Sequence, residues 1–172
     1  MAKIDAKEKA IRDVFHRDYA FSIPAYQRPY RWGTDQAKTL LSDLLSASAN
    51  FTVGMDVYRV TPYFLGSIVV IKQENLPEAQ VIDGQQRLTT LALLISVLRT
   101  LFTEEKRKTT FGELVLEQGD PLVGTQDRCR LVLRTRDHAF FEKNFLRHPT
   151  LTQIPGLLAG NLSDPQKHLA EN

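Results

Sequence analysis

The chain lacks the residues of several common functional classes. It has one cysteine, Cys129, in 172 residues, so neither a disulfide framework nor a cysteine-based zinc site is expected within it. The four histidines are scattered without metal-ligand spacing. A Gly-x-x-x-x-Gly-Lys-Ser/Thr loop, a His-Glu-x-x-His pair and a Gly-x-Ser-x-Gly turn are all absent from the sequence. These absences exclude P-loop nucleotidases, zincin proteases and the α/β-hydrolase nucleophile elbow.

Long apolar runs are also missing. No run approaches the roughly 18 residues of a membrane span, and the N-terminus has no apolar signal core, so we expect a cytoplasmic protein without a membrane partner. The net charge is only +2, so a basic nucleic-acid surface would have to be local. Residues 163–166 resemble the start of a helix close to the end of the sequence, and we therefore expect an excised fragment of a longer protein.

The apolar periodicity predicts a mixed α/β chain. The longest predicted helix begins at Gly84, runs to about residue 102 and is apolar on nearly every side, which is typical of a buried helix. Its N-terminus should therefore be presented from inside the fold, at the base of a pocket or cleft. We place a soft boundary near residue 105. The other predicted elements are a weak helix ending near His16, strands at 21–23, 63–71, 81–82 and 128–133, a loop at 25–32, a helix capped by Thr34, and a helix near 137–145.

The segment 81–90, Val-Ile-Asp-Gly-Gln-Gln-Arg-Leu-Thr-Thr, reads as strand, tight turn and helix start. Helix N-termini bind anions, and the planar fork of Arg87 suits phosphate. Asp83 could hold Mg²⁺ directly or through water. This set of residues suits phosphoryl transfer. A structural alternative is that Asp83 and Gln86 form a capping box at an ordinary helix start.

Two other constellations remain open between a binding role and a structural one. In residues 23–32, aromatic and basic residues alternate on a proline-stiffened loop, which suits base stacking and phosphate contacts but equally suits an apolar lid with Tyr30 and Trp32 in the core. A basic cluster could follow a phosphate backbone or be a solvated face. Its members are Arg128, Arg130, Arg134, Arg136, Lys143 and Arg147.

Three segments together resemble a known family. Residues 23–32, 64–69 (Phe-Leu-Gly-Ser-Ile-Val) and 81–90 occur in the order and approximate spacing typical of the N-terminal domain of GmrSD-type restriction proteins, a domain that the phosphorothioate-sensing SspE proteins share. The resemblance covers about residues 10–102. It implies a ParB/sulfiredoxin-like α/β (α+β) fold, in which a small mixed sheet with surrounding helices forms a nucleotide- and DNA-sensing domain over 1–105. A more helical, truncated segment over 106–172 would follow.

The resemblance also implies an activity, cofactors and partners. The activity is binding and hydrolysis of a nucleoside triphosphate, GTP, UTP or CTP, with Mg²⁺ and with Asp83, Gln85, Gln86 and Arg87 in the active site. The partners are modified DNA, carrying phosphorothioate or glucosylated hydroxymethylcytosine, and an HNH-type nuclease domain further along the full-length chain; a homo-oligomer is left open. The expected nucleotide or DNA contacts are Tyr26, Gln27, Arg28, Tyr30, Arg31, Gly84, Thr89 and Thr90.

The leading hypothesis is thus an NTPase-like regulatory domain of a modification-dependent anti-phage restriction protein, from which DNA cleavage by this fragment alone is not expected. A second hypothesis is a non-catalytic module that grips modified DNA with the same site. A third is a ParB-like nuclease, which would need Asp43, Glu74 or Glu78 to approach Asp83 in space. Sulfiredoxin chemistry is not expected, because Cys129 lies between two arginines in a strand candidate rather than in a glycine-rich loop.

Overall fold

The computed structural model describes residues 4–49, 62–147 and 149–172. The helices are α1 (Ile11–Val14), α2 (Thr34–Ser48), α3 (Gln85–Leu101), α4 (Glu105–Glu113), α5 (Thr135–Phe141), α6 (Ile154–Leu158) and α7 (Asp164–Glu171). The strands are β1 (Ala20–Ser22), β2 (Val69–Lys72), β3 (Glu78–Asp83), β4 (Leu116–Glu117), β5 (Arg128–Cys129) and β6 (Leu131–Val132). A π-helical turn, Glu142–Arg147, continues α5, and a 3₁₀ turn, Leu151–Gln153, precedes α6. The predicted mixed α/β class is confirmed.

The main sheet has the strand order β2-β3-β1-β6. β1 is parallel to both β3 and β6, whereas β2 is antiparallel to β3. β4 and β5 form a separate antiparallel pair. The strand predicted over 128–133 is therefore divided at Arg130, where the chain leaves the small sheet and joins the large one. The large sheet draws strands from both sides of residue 105.

α3 is the central helix of the core, as its apolar sequence predicted. Its buried side chains include Leu88, with none of its surface exposed, and Leu91, and they belong to one hydrophobic cluster with Val81 of β3 and Phe21 of β1. Burying an aliphatic side chain of this size contributes about 1.5–3 kcal/mol. Because β3 leads directly into α3, the turn between them is held against the centre of the domain.

The remaining elements agree with the sequence predictions to different degrees. The helix predicted after Thr34 is present as α2, but the predicted cap is wrong, because Thr34 is the first residue of the helix and Gly33 is its N-cap. Gln36 Oε1 accepts a hydrogen bond from Gly33 N at 2.9 Å. The strand predicted over 63–71 is wrong for residues 63–68, since β2 begins only at Val69. Gly66 has a φ of 106°, which interrupts an extended chain. Within the described ranges, no helix combines the length and apolar character that crossing a bilayer requires.

Candidate functional site

The turn between β3 and α3 requires glycine. Gly84 has a φ of 86°, in the left-handed region, and a Cβ at this position would lie only 2.9 Å from the backbone oxygen of Ser67. The first backbone N–H of α3 with an i−4 acceptor is that of Leu88, which donates to O of the N-cap residue Gly84 at 3.0 Å. The N–H groups of residues 85–87 therefore have no acceptor within the helix, and they give this end its positive polarity.

Gln86 fastens the loop of residues 23–32 to α3. Its Oε1 accepts hydrogen bonds from the backbone N–H groups of Arg31 at 2.7 Å and Trp32 at 3.1 Å. Its Nε2 donates to Pro29 O at 3.0 Å. The capping-box interpretation is therefore wrong: α3 has no side-chain cap, and its N-cap residue is Gly84 rather than Asp83. The amide of Gln86 supplies backbone partners that a proline-rich loop lacks.

Gln85 and Gln27 make a second connection between the same two segments. Gln85 Nε2 donates to Gln27 Oε1 at 3.1 Å, and Gln27 Nε2 donates to Ile82 O at 2.9 Å. Gln85 is 7% exposed. Both glutamine side chains at the start of α3 thus hold the loop in place, which explains why these amides occur on an otherwise apolar helix.

The two threonines of the motif are also internal. Thr89 Oγ1 donates to Gln85 O and Thr90 Oγ1 to Gln86 O, each at 2.9 Å, and both residues are buried. Tyr30 is buried as well, and its hydroxyl lies 2.8 Å from Thr90 Oγ1. In this conformation the hydroxyls of the threonine pair are inside the protein, where neighbouring groups satisfy their hydrogen bonds.

The last residue of the sequence reaches this network. Asn172 Nδ2 donates to Tyr30 Oη at 2.9 Å and to Trp32 O at 2.6 Å. Burial raises the pKa of the Tyr30 hydroxyl, and its hydrogen bonds with Thr90 and Asn172 oppose that rise. Sequence reasoning missed Asn172, because no local pattern marks a residue whose partners lie 140 and 142 positions away.

Arg87 contacts the second motif segment. Its Nη1 donates to Ser67 O at 3.2 Å. Its guanidinium lies over Gly66, where a Cβ would come within 2.7–2.8 Å of the guanidinium atoms. Gly66 therefore leaves the space that this side chain occupies. All three motif segments meet at the first turn of α3: residues 23–32 through the two glutamines, and residues 64–69 through Arg87 and Gly84.

Several predicted site residues are accessible to solvent. Asp83 is exposed at the end of β3, and Arg87 is half-buried. On the loop, Arg28 and Arg31 are exposed, and Tyr26 is 71% exposed. These five side chains are therefore available to a ligand without rearrangement of the core.

The loop side of the α3 N-terminus is nearly closed. A cavity of about 10 Å³, lined by Arg28, Gln85, Gln86 and Thr89 among others, has room for about one water molecule. Arg87 is not part of its lining. A wider hollow of about 310 Å³ lies on the other side of Tyr30, against the start of α7. The structure therefore brings Arg28 together with the glutamines but directs Arg87 to a different place, beside Ser67.

The basic cluster is largely neutralised by ion pairs. Arg128 and Arg130 share a face, as predicted, and both contact Glu117 Oε2, at 2.7 Å and 3.2 Å. Arg134 pairs with Asp137 at 2.7 Å, and Arg147 pairs with Glu142 at 2.6 Å. A cluster paired in this way presents less free positive charge to a phosphate backbone than its sequence suggests.

Among the residues that the structure describes, no group of carboxylates assembles around Asp83. Within residues 4–49, 62–147 and 149–172, the one group of three or more metal-ligating side chains consists of Cys129, His138 and Glu142. Neither Glu74 nor Glu78 joins Asp83 in such a group, and Glu78 instead lies 3.6 Å from Arg128. The described residues therefore give no support to a two-metal nuclease centre. Cys129 is a buried free thiol, and burial raises its pKa to about 12.

Comparison with known proteins agrees with this arrangement of motifs. A search of curated proteins gave no match. A family model described as the N-terminal domain of the GmrSD restriction endonuclease matches residues 11–157. The match extends well beyond the segment over which the three motifs suggested the resemblance, and it includes β6 and α5. The chain therefore belongs to the family of GmrSD restriction endonuclease N-terminal domains, and this membership implies a part in a restriction system that acts on DNA.

Proposed function

We propose that this domain binds and hydrolyses a nucleoside triphosphate at the N-terminal end of α3, and that the bound nucleotide controls how a restriction protein engages modified DNA. One observation carries the proposal. Three separate motif segments converge on a single helix N-terminus, while Asp83 and Arg87 beside it keep access to solvent. Convergence of this kind concentrates polar groups where an anion is already favoured.

The accessible side of the turn fits phosphate. Arg87 can exchange its one hydrogen bond to Ser67 O for two parallel hydrogen bonds to phosphate oxygens. The planar guanidinium has the geometry to donate such a pair. The N–H groups of residues 85–87 add donors without side-chain entropy. Gly66 has no side chain that would compete with the Arg87 guanidinium for this space. A triphosphate does not fit the cavity of about 10 Å³ beside Arg28, so its phosphates would lie on the side of Gly66, Asp83 and Arg87.

Asp83 is the residue that would hold Mg²⁺, directly or through water, because it is an exposed carboxylate beside the proposed phosphate position. The cation would supply neutralisation of phosphate charge. Gln85 and Gln86 act as positioning residues in this proposal, since their amides hold the loop rather than face the solvent. The loop then presents Tyr26, Arg28 and Arg31 to the base of the nucleotide or to DNA.

The nucleotide would be GTP, UTP or CTP. The DNA would carry phosphorothioate or glucosylated hydroxymethylcytosine, and an HNH-type nuclease domain elsewhere in the full-length protein would cut it. A phosphate-release assay with GTP, UTP, CTP and ATP tests the enzymatic part. We expect release by the wild type and a loss of at least tenfold in Asp83→Ala and Arg87→Ala. Arg136→Ala, at an exposed position on α5, is the control and should retain wild-type release.

Equal background release by the wild type and both variants would remove the enzymatic claim. A second function, binding of modified DNA without hydrolysis, is favoured by the exposure of Tyr26, Arg28 and Arg31 and by the internal role of both glutamines. Gel-shift titration separates the two functions. Tighter binding to modified than to unmodified duplex, with a steep salt dependence and no phosphate release, would establish the binding module instead.

A further inference from the structure

Three metal-ligating side chains of different types come together away from the three motif segments. Cys129 belongs to β5, His138 to α5, and Glu142 begins the π-helical turn. One donor atom from each residue lies within 4.8 Å of the other two. Glu142 Oε2 lies 3.3 Å from His138 Nε2. Three elements of the chain therefore bring a thiol, an imidazole and a carboxylate close together.

The fold explains why these side chains meet. His138 and Glu142 are four residues apart on one helical run, so they project from the same face. That run changes from α5 to the π-helical turn at Glu142. Turns of this kind are often found at functional sites. Cys129, 6% exposed, faces the helix from the end of the small sheet.

The combination of donors favours a transition metal such as zinc over Mg²⁺ and Ca²⁺. A thiolate, an imidazole and a carboxylate are the ligands of Zn²⁺, whereas Mg²⁺ and Ca²⁺ take oxygen donors. With the usual zinc–ligand bond lengths, donor atoms on a tetrahedron lie about 3.3–3.6 Å apart. The separation of 3.3 Å between His138 and Glu142 already has this value. The remaining separations, up to 4.8 Å, need to close by about 1 Å.

The surroundings suit a bound cation. Glu142 Oε1 accepts a hydrogen bond from Arg147 Nε at 2.6 Å, which leaves Oε2 directed at the histidine. Arg147 is also held by Asp127, at 3.1 Å. Ligating carboxylates are commonly oriented by an outer partner of this kind. The charges of a thiolate and a carboxylate would balance Zn²⁺, and Asp127 would balance Arg147.

We propose that Cys129, His138 and Glu142 bind a zinc ion that joins β5 to α5, with water at the fourth position. A single cysteine does not exclude zinc when histidine and glutamate supply the other ligands. The four-residue spacing of His138 and Glu142 was the sequence signal that could have indicated the site. This site shares no residue with the proposed nucleotide site, so either proposal can fail alone.

Cobalt substitution tests the proposal on the whole chain. After removal of metals with a chelator, one equivalent of Co²⁺ should give a cobalt–thiolate absorption band in the near ultraviolet, with the intense visible bands of tetrahedral coordination, and Zn²⁺ should displace both. Cys129→Ser should abolish the thiolate band. His138→Gln and Glu142→Gln should each weaken Co²⁺ binding by at least tenfold.

His16→Gln is the matched control. His16 also lies beside a carboxylate, 3.4 Å from Asp18, but within the described part of the chain it belongs to no group of three metal-ligating side chains. It should bind Co²⁺ as the wild type does. Thermal unfolding of the wild type gives a test that does not depend on whether the variants fold. Zn²⁺ should raise the Tm of the wild type, and a chelator should reverse the rise. A spectrum without a thiolate band, a band that survives Cys129→Ser, or a Tm indifferent to Zn²⁺ would each overturn the proposal.

Discussion

The side-chain oxygen of Gln86 accepts the backbone N–H of Arg31 at 2.7 Å, so a residue of the first turn of α3 sets the conformation of a loop 55 positions earlier. This bond and its two companions convert two sequence motifs into one structural unit. Within that unit, Gln85 and Gln86 hold the loop in place, and the loop exposes Arg28 and Arg31 to solvent.

Gln86→Ala should destabilise the domain by about 2–3 kcal/mol, because buried backbone groups of the loop would lose their partner. Urea unfolding measures the change. Gln36→Ala is the matched control, since Gln36 makes the same type of amide-to-backbone bond to Gly33 at an exposed position, and it should cost less than about 1 kcal/mol. Equal losses for the two variants would show that the Gln86 amide does not fasten the loop.

Gly66→Ala should displace the guanidinium of Arg87 and lower phosphate release toward the level of Arg87→Ala. Gly124→Ala separates this effect from backbone strain. Both glycines have positive φ, but a Cβ at Gly124 meets nothing within 4 Å. Backbone strain should therefore lower the free energy of unfolding by about 1 kcal/mol in each variant, whereas phosphate release should fall only in Gly66→Ala. Unchanged release in Gly66→Ala would contradict the assignment of Arg87 to phosphate.

Tyr30→Phe should make stability less sensitive to alkaline pH. The pKa of Tyr30 is raised, chiefly by burial, above its ordinary value of 10.0. Its contribution to stability is therefore fully present below that value and is lost as the pH rises through the raised pKa of the folded state. Urea unfolding at about pH 8 and about pH 11 measures the loss. Asn172→Ala is the control, because it keeps the Tyr30 phenol and should lose stability at alkaline pH as the wild type does. If Tyr30→Phe lost as much stability between the two pH values as the wild type, the loss would not come from Tyr30.

Tyr26→Ala should weaken binding to modified DNA by about 1–3 kcal/mol if the ring stacks on a base. The free energy of unfolding should change by less than about 0.5 kcal/mol, because the side chain is 71% exposed. Leu122→Ala, at a position 96% exposed outside the motifs, is the control for gel-shift titration. Wild-type affinity in Tyr26→Ala would remove this residue from the DNA contact.

The sequence predicted those elements whose signal is local. α3 was recognisable because its length and apolar residues leave little alternative to a buried helix, and the loop at 25–32 because two prolines restrict it. The capping box at Asp83 and Gln86 was a wrong interpretation, since the same two residue types also fit a turn in which Gly84 is the cap and the glutamine bonds elsewhere. The boundary near residue 105 stays a prediction.

Relationships across the chain could not be inferred from local patterns. The parallel pairing of β1 with β6 joins Phe21 to Leu131, and nothing near either strand specifies that partner. The bonds of Asn172 and the meeting of Cys129 with His138 depend on the same long-range packing. The catalytic roles of Asp83, Gln85, Gln86 and Arg87 also stay predictions; the fold gives the two glutamines internal partners and leaves the other two residues accessible.

Asn172 gives the end of α7 a mechanical connection to the motif loop. Its amide nitrogen spans the Tyr30 hydroxyl and the Trp32 carbonyl with bonds of 2.9 Å and 2.6 Å, and hydrogen bonds of this length weaken sharply when their atoms separate by even 1 Å. The position of α7 and the conformation of the loop are therefore coupled. A displacement of α7 would strain the bonds of Asn172 to the loop, and through the loop it would reach the bonds that Gln86 makes at the start of α3.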